Sequence, residues 1–372
     1  MSNKAERHEV RFLALMTSMT CALVLLAAPA FAASMAAHDD CDADNPDRNI
    51  AGCTLIIEDP SEGDTMHAVA HVARGLAWQA KGDLDRALAD YTEAIRLNPR
   101  DALAYNNRGL LWREKGDVDR AIADLTDAIR IDPLPHSDIA RSGHVNIYAN
   151  RGLAWQSKGD LVRAIADFDQ AVKLDPNDAD ALNRRGAAHR AAGHLDQAMA
   201  DFSDAIRVDP DYLGAYYNRG LVREAKADLD GAIADYTEAI RLDPKFADAY
   251  DGRGRIFLAK QDPNPAIADF DRALRLDPNR AEDYFLRGVV RYDRYMGFMG
   301  DGWVEKDDLL QAIADFSEAI RLDAKNPRLR YARALASNTN GDRDRAIADL
   351  TEALRLDPDN ATFAAMLKQL KP

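Results

Sequence analysis

Eight times along the chain the sequence returns to a block of the form A-I-A-D-(Y/F/L)-x-x-A-(I/L)-R-L-D-P. Units aligned on it begin at Ala68, Ala102, Val145, Ala179, Leu213, Ala247, Ala281 and Pro327. Successive starts are 34 residues apart, except that nine extra residues precede Val145 and twelve fall inside the Ala281 unit. A unit this short cannot bury an apolar face by itself, so units must stack, and a fixed period in this range predicts a solenoid of helix pairs. Chain length is then a poor guide to domain number, because a solenoid grows by adding units.

The residues within a unit explain the period. Counting the start as position 1, position 8 is small: Gly75, Gly109, Gly152, Gly186, Gly220, Gly254, Gly288 and, in the last unit, Ala334. Alanine recurs at position 20 (Ala87 to Ala346) and at position 27 (Ala94 to Ala353). Two antiparallel helices cross closely only where side chains are small, so these positions mark the contact between a first helix A and a second helix B. Position 24 is large and apolar, as in Tyr91, Phe168 and Tyr236, and fills the space between the two helices. Proline at position 32 stops helix B. This pattern resembles the tetratricopeptide repeat family from Ala68 to Asn360, with Ala324 in place of proline and Ala334 in place of glycine as departures. The resemblance implies an all-α, right-handed solenoid of eight helix pairs at 68–101, 102–135, 145–178, 179–212, 213–246, 247–280, 281–326 and 327–360.

The ends carry different signals. Residues 1–32 read as a secretory signal peptide: Lys4, Arg7 and Arg11 lead, an apolar core follows to Ala28, and Ala30-Phe31-Ala32 supplies the cleavage pattern. An uncleaved anchor is the alternative, since the apolar run is near the lower limit for spanning a bilayer, although Thr17, Ser18 and Thr20 weaken it. Export places the mature chain in a periplasmic or secreted setting, with membrane contact only through an uncleaved signal. Once Cys21 leaves, Cys41 and Cys53 form an even count in an oxidising compartment. Residues 33–44 read as a polar arm. Residues 45–67 include a match to helix B, with Asp47-Arg48 aligned on Asp85-Arg86 and Cys53 on Tyr91. A Cys41 to Cys53 disulfide is expected to fasten this half-repeat as a cap, contributing about 3 kcal/mol by closing a short loop. The cluster His38-Asp39-Asp40-Cys41-Asp42 meets no known metal-site spacing and reads as solvated. At the other end 361–372 reads as a capping helix, with Met366, Leu367 and Leu370 toward the final unit.

Between helices, Gly-Asp pairs such as Gly82-Asp83 and Gly116-Asp117 serve as a left-handed stop and an N-cap. Position 7 is arginine and position 23 aspartate in every unit, including Arg108 with Asp124, Arg151 with Asp167 and Arg219 with Asp235. Recurrence in step predicts a structural ion pair linking helices A and B, within a unit or to the next.

Helix A positions 2, 5, 6, 9, 12 and 13 remain once packing positions are removed, and in the family this face is concave and binding. Asn107, Asn150 and Asn218 hold position 6, with Asn183 beside Arg184 in the fourth unit. Their amides resemble the asparagine ladder of peptide-binding arrays, which grips an extended backbone. Arg113, Arg184, Arg190 and Arg255 would add positive charge and favour an acidic peptide, although the lysines of the family's carboxylate-clamp subgroup are missing. Two insertions interrupt the period. His136 to His144 either extends helix A or loops away, and Arg294 to Asp307 offers Tyr295, Phe298 and Trp303 as a partner loop or folds back on its unit.

A chain of net charge −14, of which the first 32 residues contribute +1, is a poor ligand for nucleic acid. No catalytic or cofactor motif appears, so no cofactor or enzymatic activity is expected. A non-catalytic protein- or peptide-binding scaffold is the leading reading. Its rival is a cell-envelope assembly or polysaccharide-export factor working through convex or loop surfaces. A carbohydrate binder would need carboxylates and aromatics clustered on helix A, which the asparagine and arginine positions do not supply.

Overall fold

The computed structural model describes residues 36–132, 138–297 and 306–371, and over 138–146 it describes the backbone alone. The leader 1–32, Phe298 and Trp303 lie outside the described residues. Among the described residues all regular secondary structure is helical.

The chain divides into two compact units, one ending at Pro176 and one running from Asn177. In the first, a helical turn at 36–41 and a helix Pro46–Glu58 precede three A–B pairs: Asp64–Ala80 with Leu84–Leu97, Ala102–Glu114 with Val118–Ile131, and Asp138–Ser157 with Leu161–Leu174. The second holds five more pairs: Ala179–Ala191 with Leu195–Val208, Leu213–Ala225 with Leu229–Leu242, Ala247–Ala259 with Pro263–Leu276, Ala281–Tyr295 with Lys306–Leu322, and Pro327–Thr339 with Arg343–Leu356. A final helix, Ala361–Leu370, follows. We number these pairs as repeats 1 to 8.

Local chemistry sets the helix limits. Between A and B the chain turns through a left-handed residue, Gly82, Gly116, Gly159, Gly193 or Gly341, with φ of 77° to 87°. An aspartate after the turn caps helix B: Asp83, Asp117, Asp160 and Asp342, and Asp228 after the left-handed Ala227, each accept the backbone N–H three residues on. Helix B stops at an Asn or Asp whose N–H donates to the position 27 alanine carbonyl, and proline then bars continuation, as at Asn98-Pro99 and Asp243-Pro244.

Glycine at position 8 is a matter of room. A methyl group on Gly186 would stand 2.7 Å from the Phe202 ring, and the same collision awaits Gly75 against Tyr91 and Gly220 against Tyr236. Those rings are fully buried, each worth about 2 kcal/mol in water-to-core transfer. In repeat 8 the branched, shorter Leu350 faces Ala334, and both are fully buried.

The arginine at position 7 works in two directions. Arg108 donates from Nε and Nη2 to the two carboxylate oxygens of Asp124, both at 2.8 Å, across the A–B seam of its own repeat. Arg151 holds Asp167, and Arg219 holds Asp235, in the same fork. The third guanidinium nitrogen reaches back to a hydroxyl on the preceding helix B: Arg108 to Thr92, Arg151 to Thr126, Arg219 to Ser203 and Arg253 to Thr237. One side chain therefore closes its own repeat and ties it to its predecessor.

That geometry extends to the N-terminal half-repeat, where Arg74 donates to Thr54 at 2.9 Å, the residue aligned with Thr92. In place of a first helix A, the turn at 36–41 lies against Gly52. A methyl group there would stand 2.4 Å from the Cys41 nitrogen and 2.6 Å from the Ala37 carbonyl oxygen, so the aspartate that fills this position elsewhere has no space. Cys41 and Cys53 are joined in a disulfide, packed with Ala37, Ile56 and Ala70. In the neighbouring arm His38 bonds Glu62, and Asp40 pairs with Arg48. At the other end Phe363 and Leu370 bury against Leu350 and Ala353 of repeat 8, with Met366 and Leu367 alongside.

The two insertions resolve differently. Residues 138–144 continue the helix, so helix A of repeat 3 runs from Asp138 to Ser157. In repeat 7, helix A runs on to Tyr295, whose side chain packs onto that repeat's own core, and helix B resumes at Lys306.

Candidate functional site

What helix A carries outward differs from repeat to repeat. In the N-terminal unit Asn150 Nδ2 donates to Asn106 Oδ1 at 3.1 Å, and Asn106 Nδ2 donates to Asn107 Oδ1 at 3.3 Å. Asn107 is buried, its own Nδ2 without a partner. This row of amides lies mostly inside: Asn106 is buried like Asn107 and only Asn150 is part-exposed, a correction to the expected place of Asn107 on the binding face. Val69 and Leu103 at position 2 and Leu76 at position 9 flank this row, each about half exposed. Seven residues apart, these positions share a helix face, a feature that attention to polar residues had passed over. Arg113 is already engaged.

In the C-terminal unit Asn218 Nδ2 donates to Asn183 Oδ1 at 2.9 Å. Asn183 in turn donates to the Tyr212 hydroxyl at 3.4 Å, and Tyr212 donates to Asp180 at 3.0 Å. Burial, followed by the charge of Asp180, pushes the Tyr212 phenol up to about 12, which keeps it a donor at neutral pH. The positive patch expected along this face is corrected. Arg184 is paired with Asp180, and Arg255 faces Asp251 at 3.7 Å. Of the four arginines expected on this face, only Arg190 stands exposed with no ion pair among the described residues. Beside them Arg280 contacts Asp248 and Asp283 at 2.7 Å and Asp251 at 3.5 Å. Three carboxylates thus share two guanidinium groups, and the excess is negative. Burial, then the neighbouring charge of Asp283, pushes the Asp251 carboxyl up to about 6. Position 12 is also partly spent on packing, because Gln79 and Glu224 accept from the hydroxyls of Tyr91 and Tyr236.

Beyond repeat 5 the asparagines end for a steric reason. Position 6 is Gly252 in repeat 6, where a methyl group would lie 2.8 Å from Tyr236 Cζ, and then Leu286 and Ala332 in repeats 7 and 8. Between those last two helices A opens a cavity of about 340 Å³, lined by Phe285, Val289, Tyr292, Tyr331 and Leu335, with Asp293 at its edge. Tyr331 is braced by Phe363 of the final helix, their ring centres 4.9 Å apart. The Tyr292 hydroxyl meets Thr339 Oγ1 at 3.0 Å, joining the two repeats at the cavity's end. Arg328 sits 4.1 Å over the Phe285 ring. The aromatics and carboxylate not expected on helix A are therefore present, clustered where positions 5, 12 and 13 of repeat 7 meet position 5 of repeat 8. Of the residues of the possible partner loop, the structure places Tyr295 against its own repeat.

Models of the tetratricopeptide repeat match residues 72–134, 217–281 and 304–361, and others match 145–178, 168–200 and 186–226. No curated protein sequence matches the chain. Among solved structures, a tetratricopeptide repeat protein from Parabacteroides merdae aligns with a TM-score of 0.52 at 19% identity, covering 72% of this chain and 98% of that one. Pseudomonas aeruginosa pilF aligns at 0.53 and 18% identity, covering 62% and 99%. YrrB, described as a TPR protein with an unusual peptide-binding site, aligns at 0.46 and 21% identity over 54% and 97%. At these identities the likeness concerns the fold alone.

Proposed function

The chain belongs to the tetratricopeptide repeat family, a class of protein-interaction scaffolds, and from that premise we propose that it is a non-catalytic scaffold that binds an extended peptide segment along its helix A faces. The observation that carries this reading is the contrast in use between positions. Positions 7, 8, 20, 23, 24 and 27 are consumed between helices, whereas position 6 leaves acceptor oxygens of Asn150 and Asn218 uncommitted. A peptide backbone N–H donates to such an oxygen whatever its side chain is. The apolar cavity of repeats 7 and 8 supports the same reading by offering a place for one side chain of the ligand.

The test is binding of the full chain to an array of twelve-residue peptides, followed by titration of the best binder. Changing Asn150 and Asn218 together to Ala removes two acceptors, each worth about 1 kcal/mol, and is expected to weaken binding on the order of tenfold with the helix content unchanged. An array on which no peptide binds would remove the scaffold reading.

We also propose that the chain is exported. The three-part leader and the Cys41–Cys53 disulfide, which persists in oxidising compartments, support this. Mass spectrometry of protein taken from its native compartment should find a chain beginning at Ala33 and two hydrogens lighter than its reduced form; an intact leader or two free thiols would count against export.

A further inference from the structure

The cavity between helices A of repeats 7 and 8 combines two features. Its walls are apolar: Phe285, Val289, Tyr292, Tyr331 and Leu335, with one guanidinium, that of Arg328, lying over the Phe285 face. At its edge stands Asp293, the one lining carboxylate, and no cation among the described residues forms an ion pair with it. The contrast along the same face is sharp. Asp180 has Arg184, Asp248 and Asp283 have Arg280, and Glu282 lies 3.5 Å from Arg328. Burial alone holds the Asp293 carboxyl above the usual carboxylate range, with no neighbouring charge to lower it.

Resting on the scaffold reading above, we propose that this cavity recognises a peptide carrying a large apolar residue, such as Phe or Leu, next to a lysine or arginine. The apolar side chain fills the cavity and the adjacent cation pairs with Asp293. The volume of about 340 Å³ accommodates one such side chain with room for its backbone. Charge complementarity selects the neighbour, because a cation at Asp293 satisfies a carboxylate that is otherwise partly desolvated and unpaired, whereas an acidic residue there adds repulsion. A sugar fits less well, since its hydroxyls need several donors and acceptors and the walls are hydrocarbon and ring faces. The shared-guanidinium cluster of Asp248, Asp251 and Asp283 carries an excess of negative charge in the same direction.

The experiment is fluorescence anisotropy of the full chain with fluorescein-labelled nonapeptides of a Gly-Ser background bearing Phe-Lys, Phe-Glu or Ser-Lys at the centre. Phe-Lys is expected to bind about tenfold tighter than either control. Asp293→Asn should bring Phe-Lys and Phe-Glu together without disturbing the fold, as judged by circular dichroism, and Ala332→Phe, which fills the cavity, should weaken Phe-Lys to the level of Ser-Lys. Equal binding of Phe-Lys and Phe-Glu, a preference that survives Asp293→Asn, or displacement of Phe-Lys by millimolar maltotriose would each overturn the inference while leaving the scaffold reading in place. Failure of all peptides, here and on the array, would remove both.

Discussion

The seam between helices A and B and the outward face of helix A are built from the same 34-residue unit, yet they behave as opposites. The seam repeats itself: arginine at position 7 forks onto aspartate at position 23 in repeat after repeat, with a glycine turned toward a ring beside it. The outward face changes at every step, from Asn150 with Val69, Leu76 and Leu103, through Asn183 and Asn218, to Phe285 and Tyr331. Stacking demands one geometry everywhere, so each repeat meets it with the same residues. A ligand has no translational repeat of its own, and the face toward it is free to differ. The contrast is useful because it says where substitution should cost stability and where it should cost binding.

The sharpest way to break the comparison is at the fork. Asp167 is buried and takes both donors of Arg151. Asp167→Ala leaves that guanidinium desolvated and unpaired, an expected loss of about 3–5 kcal/mol in denaturant unfolding. Replacing Arg151 and Asp167 together by leucine should cost clearly less than the single change, since no charge is stranded. If the two variants unfold alike, the fork is an ordinary surface pair and the seam owes its constancy to something else.

Gly186→Ala probes the other half of the seam. Its new methyl group would stand 2.7 Å from the Phe202 ring, and overpacking a rigid contact of this kind costs about 1–3 kcal/mol. The reverse change in repeat 8, Ala334→Gly, meets only Leu350 and should cost near 1 kcal/mol from helix propensity and lost packing. Thermal melts of the two variants, compared with wild type, should rank them in that order.

On the outward face, charge gives a pH handle. The Asp251 carboxyl is raised above its ordinary value by burial and by Asp283, to about 6. The folded chain therefore holds a proton there that the unfolded chain releases, so this group favours folding below about pH 4 and its contribution is lost as pH rises through 6. Asp251→Asn keeps the shape without the charge. At pH 7 it should stabilise the C-terminal unit by about 1 kcal/mol, and the gain should vanish at pH 4. A variant less stable than wild type at pH 7 would mean that Arg255 and Arg280 need that charge more than burial opposes it.

These cases also mark what the sequence could disclose. Periodicity exposes whatever recurs, so the helix pairs, the small-residue contact between them and the arginine–aspartate pairing were all legible from position counting. Even the half-repeat could be read, because Asp47-Arg48 and Cys53 fall where Asp85-Arg86 and Tyr91 fall; in the structure Thr54 accepts from Arg74 as Thr92 does from Arg108. The helix A face was legible only as a set of positions. Asn107 was assigned outward by its number alone, but it is buried together with Asn106, whose amide donates to it. The arginines looked like free charge because their partners, Asp180 and Asp251, lie one helical turn away among residues that carry no repeat signal. The cavity of repeats 7 and 8 escaped for the same reason: Phe285, Tyr292 and Tyr331 occur in no other repeat at those positions together, and only stacking brings them side by side.

The smallest expected effect tests whether the seam's turn is as uniform as its packing. Five repeats place glycine in the left-handed turn between A and B, but Ala227 and Gln261 hold the same conformation at φ 59° and 57° with a side chain present. A β-carbon in this region crowds the following carbonyl, at a cost of about 1 kcal/mol that glycine avoids. Glycine also gains freedom in the unfolded chain, which takes back part of that benefit. Ala227→Gly should therefore stabilise by no more than about 0.5–1 kcal/mol, read as a slightly higher urea midpoint with unchanged slope. Because the residue is exposed and its backbone N–H donates to the Glu224 carbonyl, the change isolates backbone strain from packing. A destabilised variant would show that repeats 5 and 6 tolerate the turn without strain, and that glycine there contributes only unfolded-state entropy.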